Sequence, residues 1–125
     1  MKYISEVPNA PSAIGPYSPA VIAGGFAFLS GQIPINPETG KLVGETIQDQ
    51  SAQVLKNISS ILEHLNLDFS KVVKTTIFLT DLANFQIVNG IYEKALGGSK
   101  PARSTIQVAG LPMGAKIEIE MVAAL

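Results

Sequence analysis

Pro101-Ala102-Arg103-Ser104-Thr105-Ile106-Gln107-Val108 and, a few residues on, Lys116-Ile117-Glu118-Ile119-Glu120 decide the fold of this chain. Both stretches alternate with the period of two that marks half-buried strands. In the first, Ala102, Ser104, Ile106 and Val108 share one face, and Arg103, Thr105 and Gln107 share the other. In the second, Ile117, Ile119 and Met121 point one way and Glu118 and Glu120 the opposite way. If the two strands are neighbours, a guanidinium and two carboxylates meet on one face of a sheet. An arginine held there is a bidentate receptor for a small carboxylate, and a glutamate beside it can move a proton or position water.

Upstream, the signals alternate between strand and helix. Residues 2–5 predict a short strand. Residues 7–19 hold Pro8, Pro11, Pro16, Pro19 and Gly15, so they predict an ordered loop. Ala20-Val21-Ile22-Ala23 and Phe26-Ala27-Phe28-Leu29-Ser30 flank Gly24-Gly25 as a hairpin. Gly31 to Gly44 reads as loop. Thr46-Ile47-Gln48-Asp49 is a helix-opening signal, and Ile47, Ser51, Val54, Leu55, Ile58, Leu62 and Leu65 follow at helical spacing, predicting an amphipathic helix over 46–65. The β-branched run Val72 to Thr80 predicts a strand. Asp81 caps a second helix with Leu82, Phe85, Val88, Tyr92 and Leu96 in one stripe, and Gly97-Gly98 stops it.

The composition narrows the class. The 125 residues suit one domain, 1–125. Hydrophobic residues make up 46% and charged residues only 15%, fewer than in an ordinary soluble domain, yet no apolar run is long enough to span a bilayer. The net charge of -1 gives no field to attract nucleic acid or an anionic membrane. There is no cysteine, which removes disulfides, thiolate metal sites and a thiol nucleophile, and suits a cytoplasmic setting. The opening residues lack the apolar core of a secretory signal. Two helices cover only one face of a sheet of about six strands. The other face, expected to carry Arg103, Thr105, Glu118 and Glu120, is left to be closed by further copies of the chain, and such a seam favours a ligand site.

Four segments resemble the RidA (YjgF) family: Ala10-Pro11-Ser12-Ala13-Ile14-Gly15-Pro16-Tyr17-Ser18, Ser30-Gly31-Gln32-Ile33-Pro34, Ile87-Val88-Asn89-Gly90-Ile91-Tyr92, and Pro101-Ala102-Arg103-Ser104 continuing to Lys116-Ile117-Glu118-Ile119-Glu120. They occur in the family's order and extend over nearly the whole chain. The resemblance implies an α+β, chorismate-mutase-like two-layer fold: a mixed sheet with two helices on one face, and a homotrimer whose sheets enclose a central barrel with clefts between neighbours. It also implies hydrolysis of reactive 2-imino acids, such as 2-iminobutanoate and 2-iminopropanoate formed from 2-aminoacrylate-type enamines, to 2-keto acids and ammonia, with no cofactor.

Carried onto this sequence, the resemblance makes Arg103 the clamp for the substrate carboxylate and Glu118 the residue that handles water or a proton. Each also has a bland reading, a cross-strand ion pair of about 0–1 kcal/mol. Alternation alone cannot separate Glu118 from Glu120. An arginine beside Glu118 would hold it ionised. Tyr17 closes the site from a loop, or simply packs with its hydroxyl wet. Gly31 lets substrate approach the backbone, or only serves a turn. Ser30 hydrogen-bonds the imine nitrogen or the water. Asn89, a mediocre helix former, supports the site or ties down a loop. Thr105 replaces the cysteine of many members, which removes any thiol chemistry there, while its backbone groups are still expected to contact the substrate. His64, the one histidine, is read as a surface cation near a helix C-terminus, and a transition-metal site is not expected.

Two rival readings use the same residues. A small-carboxylate binding or regulatory module needs the arginine but no turnover. An RNA-cleaving role, ascribed to some relatives, fits poorly with the acidic balance, the low aromatic content and the lack of a histidine pair.

Overall fold

A computed structural model describes residues 1–125. Six strands form one sheet: β1 (Lys2–Ile4), β2 (Ala20–Ala23), β3 (Phe26–Gln32), β4 (Val72–Leu79), β5 (Ala102–Gln107) and β6 (Ile117–Ala124). Two helices, α1 (Ile47–His64) and α2 (Phe85–Leu96), lie between β3 and β4 and between β4 and β5 in the chain. The sheet order is β1-β2-β3-β6-β4-β5. All contacts are antiparallel except β4–β5, which are parallel because α2 provides the crossover. This is the α+β layout expected, a mixed sheet with both helices on one face.

Thr46 caps α1 as expected, whereas Asp81 caps only the turn ahead of α2; the helix itself begins at Phe85, its N-cap Asn84 makes no side-chain hydrogen bond, and Leu82 falls outside it. Thr46 Oγ1 accepts from Asp49 N at 3.1 Å, and Asp81 accepts from Ala83 N at 2.9 Å, opening a single 3-10 turn (Leu82–Asn84) that leads into α2. Gly97 ends α2 in the left-handed region, at φ 59°, a conformation that other residues adopt only under strain. The core lies between the helices and the sheet. Val54, Ile58, Ile61 and Leu62 of α1 are fully buried against Ile77, Leu79, Ile117 and Ile119.

Two further sequence expectations change. Gly31 and Gln32 belong to β3 rather than to the loop after it, and the register against β6 slips between Leu29 and Gln32, a bulge centred on Ser30-Gly31. The larger change concerns faces. β5 and β6 are not neighbours, because β4 lies between them. Arg103 is aligned with Thr75 of β4, and Thr105 with Ile77. Both β4 residues are buried beneath the helices, so Arg103 and Thr105 lie on the helix face. Glu118 is aligned with Phe78 and Glu120 with Thr76, on the opposite, open face. The guanidinium and the carboxylates therefore do not meet within one copy of the chain.

Candidate functional site

The residues singled out in the sequence fall into two groups. The first lies at the β5 edge, where Arg103 passes under α2. Its guanidinium carbon stands 5.1 Å from the centre of the Tyr92 ring and 5.6 Å from that of Phe85. Such cation–π contacts contribute about 0.5–2 kcal/mol each, and here they orient the planar fork. Tyr92 is itself fixed, donating its hydroxyl to Thr75 Oγ1 at 2.9 Å. Burial raises the Tyr92 pKa, against the opposing effects of that hydrogen bond and of the Arg103 charge, so the ring stays neutral beneath the cation. Arg103, Tyr92 and Asn89 line one hollow of about 300 Å³. Asn89, on α2, thus shares that hollow with Arg103. Two residues along β5, Thr105 Oγ1 is buried and has no hydrogen-bond partner.

The aromatic support of Arg103 is the part that the sequence did not disclose. Phe85 and Tyr92 were read only as members of an apolar helical stripe. Their spacing of seven, two helical turns, is the signal that could have placed both under one strand residue.

The second group surrounds Glu118 on the open face. Gly31 of the bulge lies directly beneath the Glu118 side chain. A Cβ built on Gly31 would fall 2.8 Å from Cδ of Glu118 and overlap its Oε2, so only glycine leaves the carboxylate where it is. The Glu118 pKa is raised, first by burial and second by the Glu120 charge. This reverses the expectation of a carboxylate kept ionised by a neighbouring arginine, since that arginine is on the other face. It also separates the two glutamates: Glu118 is half-buried against the bulge, whereas Glu120 is exposed.

Ser30 Oγ donates to Ser18 O at 2.6 Å, and Ser30 N donates to Pro19 O at 2.9 Å. Its hydroxyl proton is thus committed to the loop that carries Tyr17 rather than pointing at a ligand. Tyr17, half exposed, and Gly31 line a small hollow of about 50 Å³. The loop, Gly31 and Glu118 make one wall. His64 is exposed at the end of α1. No three histidine, cysteine or acidic side chains converge as metal ligands.

The fold and these two walls define a class of small α+β proteins with an arginine at one sheet edge, packed on aromatic rings, and a glutamate beside a glycine bulge on the open face. The chain matches the Endoribonuclease L-PSP family over residues 7–125 and belongs to that family, the one that includes RidA and YjgF. Reactive Intermediate Deaminase A, chloroplastic, of Arabidopsis thaliana is 53% identical over 124 residues, covering 99% of this chain and 66% of that protein. The 2-iminobutanoate/2-iminopropanoate deaminase of Homo sapiens is 43% identical over 123 residues, covering 98% of this chain and 90% of that protein. The crystal structure of YyfA of Yersinia pestis, a member of the Rid family, superposes with a TM-score of 0.94 at 50% identity and covers 98% of each chain. No helix is long and apolar enough to cross a membrane.

Proposed function

We propose that the chain hydrolyses 2-imino acids to 2-keto acids and ammonia, at sites completed by a second copy of itself. The names of the two deaminase relatives support the reaction. The observation that carries the shared site is the separation of Arg103 from Glu118 across the sheet. A carboxylate clamp and a proton-handling group serve one substrate only if the β5 edge of one copy meets the Gly31–Glu118 wall of the next. The apolar open face supports such packing, and a homotrimer enclosing a central barrel is the arrangement we favour.

In this scheme the substrate carboxylate forms two hydrogen bonds with Arg103, which fixes the position of the C=N carbon. Thr105 and Asn89 hold the substrate from the same wall. Glu118 of the neighbouring copy takes a proton from water as the oxygen attacks that carbon, and returns it to nitrogen. The carbinolamine then expels ammonia, with Glu118 taking the hydroxyl proton and passing it to the leaving nitrogen. The balance is one imine and one water in, one keto acid and one ammonia out. A carboxyl group whose pKa is raised above its ordinary value by burial suits both acceptance and return of a proton. Tyr17 closes the Glu118 side, and Ser30 holds the Tyr17 loop. The cysteine-free composition suits a reducing compartment such as the cytoplasm, although the Arabidopsis relative is named as chloroplastic.

Complementation tests the shared site. Arg103→Ala and Glu118→Gln each lose accelerated ammonia release from freshly generated 2-iminopropanoate. Co-refolded in equal amounts, they recover about a quarter of wild-type activity, because random assortment pairs an intact arginine with an intact glutamate in that fraction of seams. Mixed oligomers that stay inactive would rule out sites shared in this way. A protein that only binds carboxylates would leave the wild-type reaction at its uncatalysed rate.

A further inference from the structure

The hollow on which Arg103 opens holds a second cation. Lys100 lines it together with Glu93 and Ser99. The same three residues line an adjoining hollow of about 380 Å³, which has no apolar residue in its wall and reaches Lys94 near the end of α2. The two hollows therefore form one polar trough running away from Arg103. Arg103, Lys100 and Lys94 face a single carboxylate, Glu93, along it, a surplus of positive charge that exceeds the partial negative charge of the α2 C-terminus.

Lys100 is presented by a defined turn rather than a loose one. Gly97 and Gly98 both take positive φ, Ser99 N donates to Leu96 O at 3.2 Å, and Pro101 restricts the backbone of Lys100 to extended conformations. A methyl or ethyl substituent on an imine bound at Arg103 would gain nothing from this trough. A second carboxylate would meet an ammonium that has little else to pair with.

We propose that the preferred substrates are short 2-imino dicarboxylic acids, the imines of acidic amino acids, with Arg103 holding the carboxylate next to the imine and Lys100 the distal one. This rests on the deaminase reading above. It assigns Lys100 a role in specificity and leaves the chemistry to Arg103 and Glu118.

The test compares imines made in situ by amino-acid oxidases from one acidic and one neutral amino acid, with semicarbazide competing for the imine as the readout. The wild-type protein shows the higher kcat/KM on the dicarboxylic imine. Lys100→Gln lowers the ratio of dicarboxylic to monocarboxylic kcat/KM by about tenfold, the loss of one charge-assisted hydrogen bond, and does so mainly through KM. Lys100→Glu lowers the ratio further. A wild-type protein that favours the neutral imine, or a ratio unmoved by Lys100→Gln, overturns the inference while the deaminase reading stands. Acceleration of neither imine overturns both.

Discussion

At the scale of single residues, Gly31 and Glu118 form one unit. The glycine is needed for the room above it, because the atoms that a methyl group there would meet first all belong to the Glu118 side chain. Glu118 is long enough to swing aside, so Gly31→Ala should fold with a melting temperature close to wild type and yet lose about 10²–10⁴-fold in kcat, the worth of a well-placed proton relay. Thermal melts alongside imine turnover check this, and full activity in a folded Gly31→Ala protein would remove the constraint. Glu120 acts on the same carboxyl through its charge. Glu118 must be ionised to accept a proton from water, so activity falls as the pH drops through its raised pKa. Glu120→Gln removes the repulsion, lowers that pKa, and should move the acid limb of the kcat/KM profile to lower pH. An acid limb that stays in place or moves upward would show that Glu118 is not the group titrating.

At the scale of elements, α1 both buries the core and anchors loops. Asn57 is fully buried; its Nδ2 donates to Ile35 O at 2.9 Å and more weakly to Ile33 O at 3.4 Å, and its Oδ1 accepts from Gln53 Nε2 at 2.8 Å. The segment that follows the bulge is thus tied to the helix. Asn57→Ala leaves two carbonyls without that donor and should destabilise the fold by about 2–3 kcal/mol, read as a lower denaturation midpoint at fixed protein concentration. A midpoint unchanged from wild type would mean that water replaces the amide at no penalty.

The helices were legible in the sequence because their signals are local: Thr46 does cap α1 and Gly97 does stop α2, although Asp81 caps the 3-10 turn before α2 and the helix itself starts at Phe85, later than the sequence suggests. The alternation within β5 and within β6 was equally legible, since side chains along a strand change sides at every residue. What the two patterns lacked was any link between them. Whether Arg103 shares a face with Glu118 depends on β6 pairing antiparallel with β4, on β4 pairing parallel with β5, and on the register of each. Those are set by the α2 crossover and by packing, and they place the two residues on opposite sides. The bulge at Gly31 was missed for a similar reason, because a glycine after a strand reads as its end unless the partner strand is known.

At the scale of the whole molecule, the open face of the sheet is the feature that calls for other copies. Tyr3, Phe28 and Ile106 are 66%, 47% and 45% exposed, and all lie opposite the helices along with Phe26 and Phe78. Exposed large apolar side chains on both sides of Glu118 and Glu120 mark this face as an interface in a small protein. Phe28→Glu places a charge in the middle of it and should convert the protein to monomers by sedimentation, with loss of turnover, while the helix content by circular dichroism is retained. Active monomers would show that one copy suffices.

The sheet order also has a consequence for how the chain acquires its shape. β6 follows the other five strands of the sheet in the chain, yet it sits between β3 and β4 and supplies Ile117, Ile119 and Met121 to the layer beneath the helices. Until Ile117 and the residues after it have left the ribosome, the two halves of the sheet have no bridge and the helices have little to rest on. A nascent chain halted in the 108–116 segment would stay open to proteases, whatever its local helical tendency. Synthesis of β6 and closure of the layer would then come as a single event.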